Sequence, residues 1–230
     1  MKLNLLSDLI RIFYPDLCIE CKIPLLEQER YLCVNCLHQL PQLPLTDFRN
    51  NVITQSFYGK VTIQLGYSLL IYRRMGIVKN IIQELKYKGN ESIGTWLGKW
   101  IGSILEHNPE FQSIDYIIPV PLHPKKLKLR GYNQVSKFAH QLGNFLNKPV
   151  IENQLVRVSS TKTQTLKARM ERFSNVNTKF QIGVPELFKN KHILLVDDVI
   201  TTGATLTSCA SEFKKVDNCD ISILSMAYTE

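Results

Sequence analysis

Apolar residues along this chain alternate between two periods. Residues 76–88 place Ile77, Ile81, Ile82 and Leu85 on one face of a predicted helix. A second helix is predicted over 93–105, where Trp96, Leu97, Trp100, Ile101 and Ile104 recur at helical spacing; tryptophans in such a stripe belong to a core. Helices are also expected over 134–146 and behind Thr205. Between them lie strand-like runs at 66–72, 114–121, 149–156, 193–196 and 222–228. Strands alternating with helices predict an α/β fold with a largely parallel sheet.

The first 17 residues set Leu6, Leu9, Ile10 and Phe13 at helical spacing, but Asp8 and Arg11 interrupt them well short of a membrane-spanning length. No small-residue cleavage site follows, so neither a signal peptide nor a transmembrane segment is read there, and a cytoplasmic location is expected. Residues 37–51 carry Pro41 and Pro44 with little periodicity and read as a connector. The expected division is 1–50, a helix and a small cysteine-bearing unit, and 51–230, the α/β domain, whose core begins near Phe57.

Composition adds limits. The chain has 230 residues, 44% of them hydrophobic, enough for one large domain with an appendage. A net charge of +8 favours polyanionic company: nucleic acid, a phosphorylated substrate or an acidic protein.

Four of the six cysteines form Cys18-x-x-Cys21 and Cys33-x-x-Cys36, with eleven residues between the pairs. Two such turns can present four thiolates at the corners of a tetrahedron, which suits structural zinc. Disulfides and free thiols are the alternatives, less suited to a chain without an export signal. Cys209 and Cys219, in the last helix and the turn after it, read as packing residues.

The densest chemistry lies in residues 193–206. Ile193, Leu194, Leu195 and Val196 read as a strand covered on both faces, with Asp197 and Asp198 at its carboxyl end, where α/β sheets bind ligands. Thr201, Thr202, Gly203, Ala204 and Thr205 then offer hydroxyls and no bulky side chain, and backbone N–H groups at such a turn attract phosphate. No Gly-Lys-Ser/Thr follows, which disfavours a nucleoside triphosphate hydrolase. The plainer alternative is a strand ending in two solvated aspartates and an ordinary threonine-capped turn.

This string resembles the phosphoribosyl pyrophosphate signature of type I phosphoribosyltransferases, in which two acidic residues precede a Thr-Thr-Gly-x-Thr/Ser turn. By that resemblance Asp197 and Asp198 hold the ribose hydroxyls, directly or through magnesium, and Thr201 to Thr205 wrap the 5′-phosphate. Two further blocks narrow the likeness. Ile118-Pro119-Val120-Pro121-Leu122-His123-Pro124, running on to Arg130-Gly131-Tyr132-Asn133-Gln134, is similar to a block of the ComF family, phosphoribosyltransferase-like proteins of bacterial competence. Leu85-Lys86-Tyr87-Lys88-Gly89, the stretch 163–176 and the cysteine pairs match in the same order. Departures are Tyr132 for phenylalanine, Lys126 for arginine, and Asp217-Asn218 where a glycine usually follows the last helix.

The resemblance implies a type I phosphoribosyltransferase-like parallel-sheet domain with a small N-terminal zinc-ribbon-like segment. It implies phosphoribosyl pyrophosphate with magnesium as ligand, and Arg130 with its basic neighbours on the pyrophosphate. It also implies a role in natural transformation beside single-stranded DNA, a helicase and recombination proteins. His123 is left unassigned. Residues 159–175, with Lys162, Lys167, Arg169 and Arg172, fit a lid over the substrate, a nucleic-acid contact or a solvated basic loop. Two functions stand: a magnesium-dependent phosphoribosyltransferase, and a single-stranded DNA-binding factor that keeps the phosphoribosyl pyrophosphate pocket.

Overall fold

Four parallel strands form the central sheet in the order β1-β6-β5-β2: β1 (Gly66–Tyr72), β2 (Tyr116–Pro119), β5 (His192–Ile200) and β6 (Asp220–Thr229). The computed structural model describes residues 13–44, 47–158 and 179–230. A separate antiparallel hairpin pairs β3 (Leu155–Val158) with β4 (Lys179–Ile182).

Alternation along the inner strands explains their uninterrupted hydrophobic runs. Leu194 and Val196 of β5, with Leu224 and Met226 of β6, join one buried cluster, whereas Ile193, Leu195, Ile221 and Ile223 join another on the opposite face. The first cluster is covered by helices α2 (Ile77–Tyr87), α3 (Ser92–Leu105) and α5 (Ser136–Leu146). The second is covered by Phe57, the β3–β4 hairpin and α6 (Ala204–Phe213). Helices α3 and α5 approach closely because α3 is bare at Gly98, where a Cβ would lie 2.9 Å from the Phe138 carbonyl oxygen.

The expected α/β alternation is present, with local differences. β5 continues through Asp197 and Asp198 to Ile200, since Val199 and Ile200 extend its pairing with β6. The strand expected over 149–156 is only a bridge from Val150 to Ile117, flanked by bonds from Ile117 N to Pro149 O and Ile151 N to Ile117 O. The chain then leaves the sheet and enters the hairpin at Leu155. The connector is also more ordered than its prolines suggest. It begins in α1 (Val34–His38), and residues 41–43 lie along β1, with Ile71 N donating to Pro41 O and Leu43 N to Leu69 O. The basic residues between Pro124 and Arg130 lie on a helix, α4 (Pro124–Arg130). The expected lid, 159–175, lies outside the described residues.

The cysteine unit is packed against the α/β domain. Ile19 and Leu32 belong to the cluster beneath α2 and α3, and the Tyr31 ring lies 5.4 Å from that of Trp96. Asn80 of α2 donates to the Glu20 carboxylate at 2.7 Å. Asn218 takes the left-handed conformation with φ 52°, in the turn where a glycine was expected; asparagine tolerates that region better than most residues. No helix among the described residues is long and apolar enough to cross a membrane.

Candidate functional site

The two neighbouring aspartates of β5 project to opposite sides of the strand, as its pleat requires. Asp198 is buried on the side of α2 and α5, and its Oδ2 receives Gln134 Nε2 at 2.6 Å and Lys86 Nζ at 2.9 Å. Asp197 accepts the Asp198 N–H at 2.8 Å. Burial, then the adjacent Asp198 charge, push the Asp197 pKa up to about 8, while Lys86 and Arg157 pull in the other direction. The pair is divided: Asp198 is already held by donors, and Asp197 resists ionisation beside it.

Behind the pair, the chain bends through Thr201 and Thr202, both exposed, to Gly203 and the start of α6. Gly203 sits at φ 72°, and a Cβ there would come 3.0 Å from the Phe57 ring. Glycine thus answers both a left-handed backbone and a close aromatic neighbour. Ala204 is exposed and Thr205 half-buried, with the first helical bond running from Thr207 N to Gly203 O at 2.8 Å. The first N–H groups of a helix lack intrahelical partners, so this end of α6 suits an anion. Lys60 Nζ reaches the Thr202 carbonyl at 3.3 Å.

The Arg130 to Gln134 block is a brace. Arg130 lies over the Tyr87 ring, 4.9 Å from its centroid, and donates to Gln134 Oε1 at 2.9 Å. Gly131 ends α4 with φ 82°. The Tyr132 hydroxyl donates to the Leu85 carbonyl, and Asn133 Nδ2 to the Val120 carbonyl at 3.1 Å. Gln134 completes the chain to Asp198. Arg130 thus reaches the carboxylates through Gln134. His123, unassigned from sequence, caps α4 by accepting the Lys125 N–H at 3.2 Å.

Lys86, Gln134 and Arg157 were not singled out as site residues. Lys86 and Gln134 stand inside the blocks that carried the resemblance, so their order in sequence was available, but their meeting at one carboxylate was not. Arg157 had a signal in its pattern: in Leu155-Val156-Arg157-Val158 the valines face outward and the arginine shares the covered side with Leu155. From that half-buried position Arg157 lowers the Asp197 pKa.

The four N-terminal cysteines converge as expected. Their sulfurs all lie within 4.8 Å of one another, with Cys21 and Cys33 3.6 Å apart, and none is in a disulfide. A tetrahedral zinc ion sets its sulfur ligands about 3.8 Å apart. Cys18 Sγ accepts the Cys33 N–H at 3.4 Å; against the opposing effect of burial, such N–H bonds bring its pKa down to about 6. Burial and the three neighbouring sulfurs push Cys36 up to about 12. A cluster whose members oppose one another's ionisation fits a divalent cation that neutralises them, and with four sulfurs it leaves no open position for catalysis. Cys209 and Cys219 are buried, as packing residues should be.

No family model matches the chain. It is similar to Competence protein F of Haemophilus influenzae, with 25% identity over 228 residues, 94% of this chain and 98% of that protein. It is similar to DNA utilization protein YhgH of Escherichia coli O157:H7 at 30% identity; the match takes in 56% of this chain and 58% of that protein's length. Among solved structures, it is similar to purine phosphoribosyltransferase from Pyrococcus horikoshii Ot3, with 20% identity, 58% of this chain and 79% of that chain aligned, and a TM-score of 0.34.

The fold is a parallel-sheet α/β domain that carries a four-cysteine cluster near its N-terminus. The likeness to Competence protein F extends over 94% of this chain.

Proposed function

We propose that this protein binds phosphoribosyl pyrophosphate with magnesium at the carboxyl end of β5, and that it serves DNA handling in bacterial competence. The observation that carries the ligand class is the passage of β5 through Asp197 and Asp198 into the Thr201–Thr205 bend, with Gly203 left-handed at the head of α6. The competence role is supported by the likeness to Competence protein F and to a DNA utilization protein.

In this reading the 5′-phosphate sits in the Thr201 to Thr205 turn, where small residues permit close backbone approach. Asp197 and Asp198 hold the ribose hydroxyls, directly or through the metal. Magnesium, when bound, supplies charge neutralisation of the pyrophosphate and relieves the repulsion between the two carboxylates. Lys86 and Gln134 orient Asp198, Arg157 offsets Asp197, and Arg130 steadies Gln134 beside the pyrophosphate. Zinc, held by Cys18, Cys21, Cys33 and Cys36, is structural. Transfer of the phosphoribosyl group requires an acceptor, and no residue of the site names one.

Calorimetry with phosphoribosyl pyrophosphate and magnesium tests the pocket. Asp197→Asn with Asp198→Asn should abolish magnesium-dependent binding while circular dichroism stays that of the folded protein; unchanged affinity sinks the assignment. The second reading, a binding factor for single-stranded DNA, is favoured by one specific observation: the exposed basic helix α4 beside the pocket.

A further inference from the structure

Lys86 belongs to the carboxylate pair and to a cavity beside it. Its Nζ pairs with Asp198 Oδ2 at 2.9 Å, and the same side chain walls a cavity of about 280 Å³ with Tyr87, Gly89, Leu129, Arg130 and Tyr132. None of these residues is acidic, and both Lys86 and Arg130 bring positive charge, so the cavity suits an oxyanion.

The Asp198 oxygen is crowded in its turn. Oδ2 takes Gln134 Nε2 at 2.6 Å as well as the lysine, which leaves it little to offer a ribose hydroxyl or a metal ion. For either to bind at that oxygen, one of the present donors has to leave. Gln134 is buried, and its Oε1 is fixed by Arg130 at 2.9 Å. Moving it would orphan a buried amide. Lys86 stands at the end of α2 with 20% of its side chain exposed, on a long flexible stem, and has the cavity to turn into.

We infer that Lys86 changes partner during binding: it pairs with Asp198 until a pyrophosphate group enters the cavity, then turns to that group and frees Asp198 for the sugar or its metal. The inference rests on the phosphoribosyl pyrophosphate reading and adds to it an order of events within the pocket. An anion in the cavity and a ligand at Asp198 favour each other, since the departure of the lysine from the carboxylate serves both.

Calorimetry with inorganic pyrophosphate, in buffer freed of divalent cations, reads the exchange without the metal. Asp198→Asn should tighten pyrophosphate binding about tenfold, because the ammonium then leaves a neutral partner in place of a charged one. Lys86→Met should weaken it. In the Lys86→Met background, Asp198→Asn should gain less than about threefold, the remainder being the longer-range repulsion between carboxylate and anion. Lys86→Gln, which can donate to Asp198 but carries no charge, should give the same cycle. Equal gains from Asp198→Asn with and without the lysine would make Lys86 a fixed counter-charge and overturn the inference. Unchanged pyrophosphate affinity in every variant, in a protein that binds phosphoribosyl pyrophosphate with magnesium, also overturns it and leaves the pocket standing; a wild type that binds neither ligand overturns both.

Discussion

Lys86 Nζ lies 2.9 Å from Asp198 Oδ2, and that same oxygen receives Gln134 Nε2 at 2.6 Å. One carboxylate oxygen therefore ties the end of α2, the approach to α5 and the central strand together. Removing Lys86 leaves a mostly buried charge with a single neutral donor. Lys86→Met should cost about 1–3 kcal/mol, below the range for a fully buried pair because a fifth of the Lys86 side chain remains exposed. Lys86→Met with Asp198→Asn should recover part of the loss in urea denaturation; strict additivity of the two changes would show that the pair is not coupled.

Gly203 meets two demands at once, a left-handed backbone and the Phe57 ring 3.0 Å from where a Cβ would stand. Gly203→Ala should destabilise by about 2 kcal/mol through both. Adding Phe57→Leu should remove less than its own cost from that background, because the clash would already be relieved. Thermal denaturation of the single and double variants checks this, and an unchanged melting temperature for Gly203→Ala counts against the close packing beneath the turn.

His192 lies at the opposite end of the sheet, with Nδ1 2.9 Å from the Ser113 hydroxyl and Nε2 2.7 Å from that of Ser222. Burial lowers its pKa, aided by Arg49 and opposed by Asp220 and Asp115. Above about pH 6.5 the ring is neutral in both folded and unfolded chains. As pH falls below that value the unfolded chain takes up the proton first, so stability declines until the folded-state pKa is passed. His192→Gln should show a shallower loss of denaturant stability between about pH 7 and 5. An identical pH profile would exclude His192 as its source.

Purification without chelator should yield zinc bound to the four cysteines. Its removal should raise hydrogen exchange first in residues 17–40, then in α2 and α3, which the knuckle grips through Glu20–Asn80 and Tyr31–Trp96. β5 and β6 should keep their protection. Metal analysis finding no zinc would contradict the site, and exchange confined to the knuckle would contradict the grip.

The pattern of residues carried the sheet and its helices because both faces of β5 and β6 are covered, which makes their apolar runs long and unbroken. It failed where local chemistry was ambivalent. Val199 and Ile200 let β5 run past its aspartates, where the polar pair marked the expected end of the strand. Lysines and leucines behind His123 and Pro124 are good helix formers with a cap and a proline at the first position, so α4 was legible in propensity but was masked by its charge. At the site, Asp197 and Gly203 were expected from the end of the strand and the turn behind it, and Arg130 from the family resemblance. Lys86 and Gln134 act by meeting Asp198 from sequence positions 112 and 64 residues away, the latter separation being that of the bond itself. No local pattern records such a meeting.

Residues 41–43 lie against the outer side of β1, and residues 149–151 against the outer side of β2. Open sheet margins are templates on which another chain can add a strand. Along these stretches both margins are already occupied by the protein's own backbone, so a strand-donating partner or a runaway stack of copies has no ladder to extend there. At these two margins of the central sheet recognition falls to side chains, and deletion of the Pro41 to Leu43 segment should open the β1 margin to self-association.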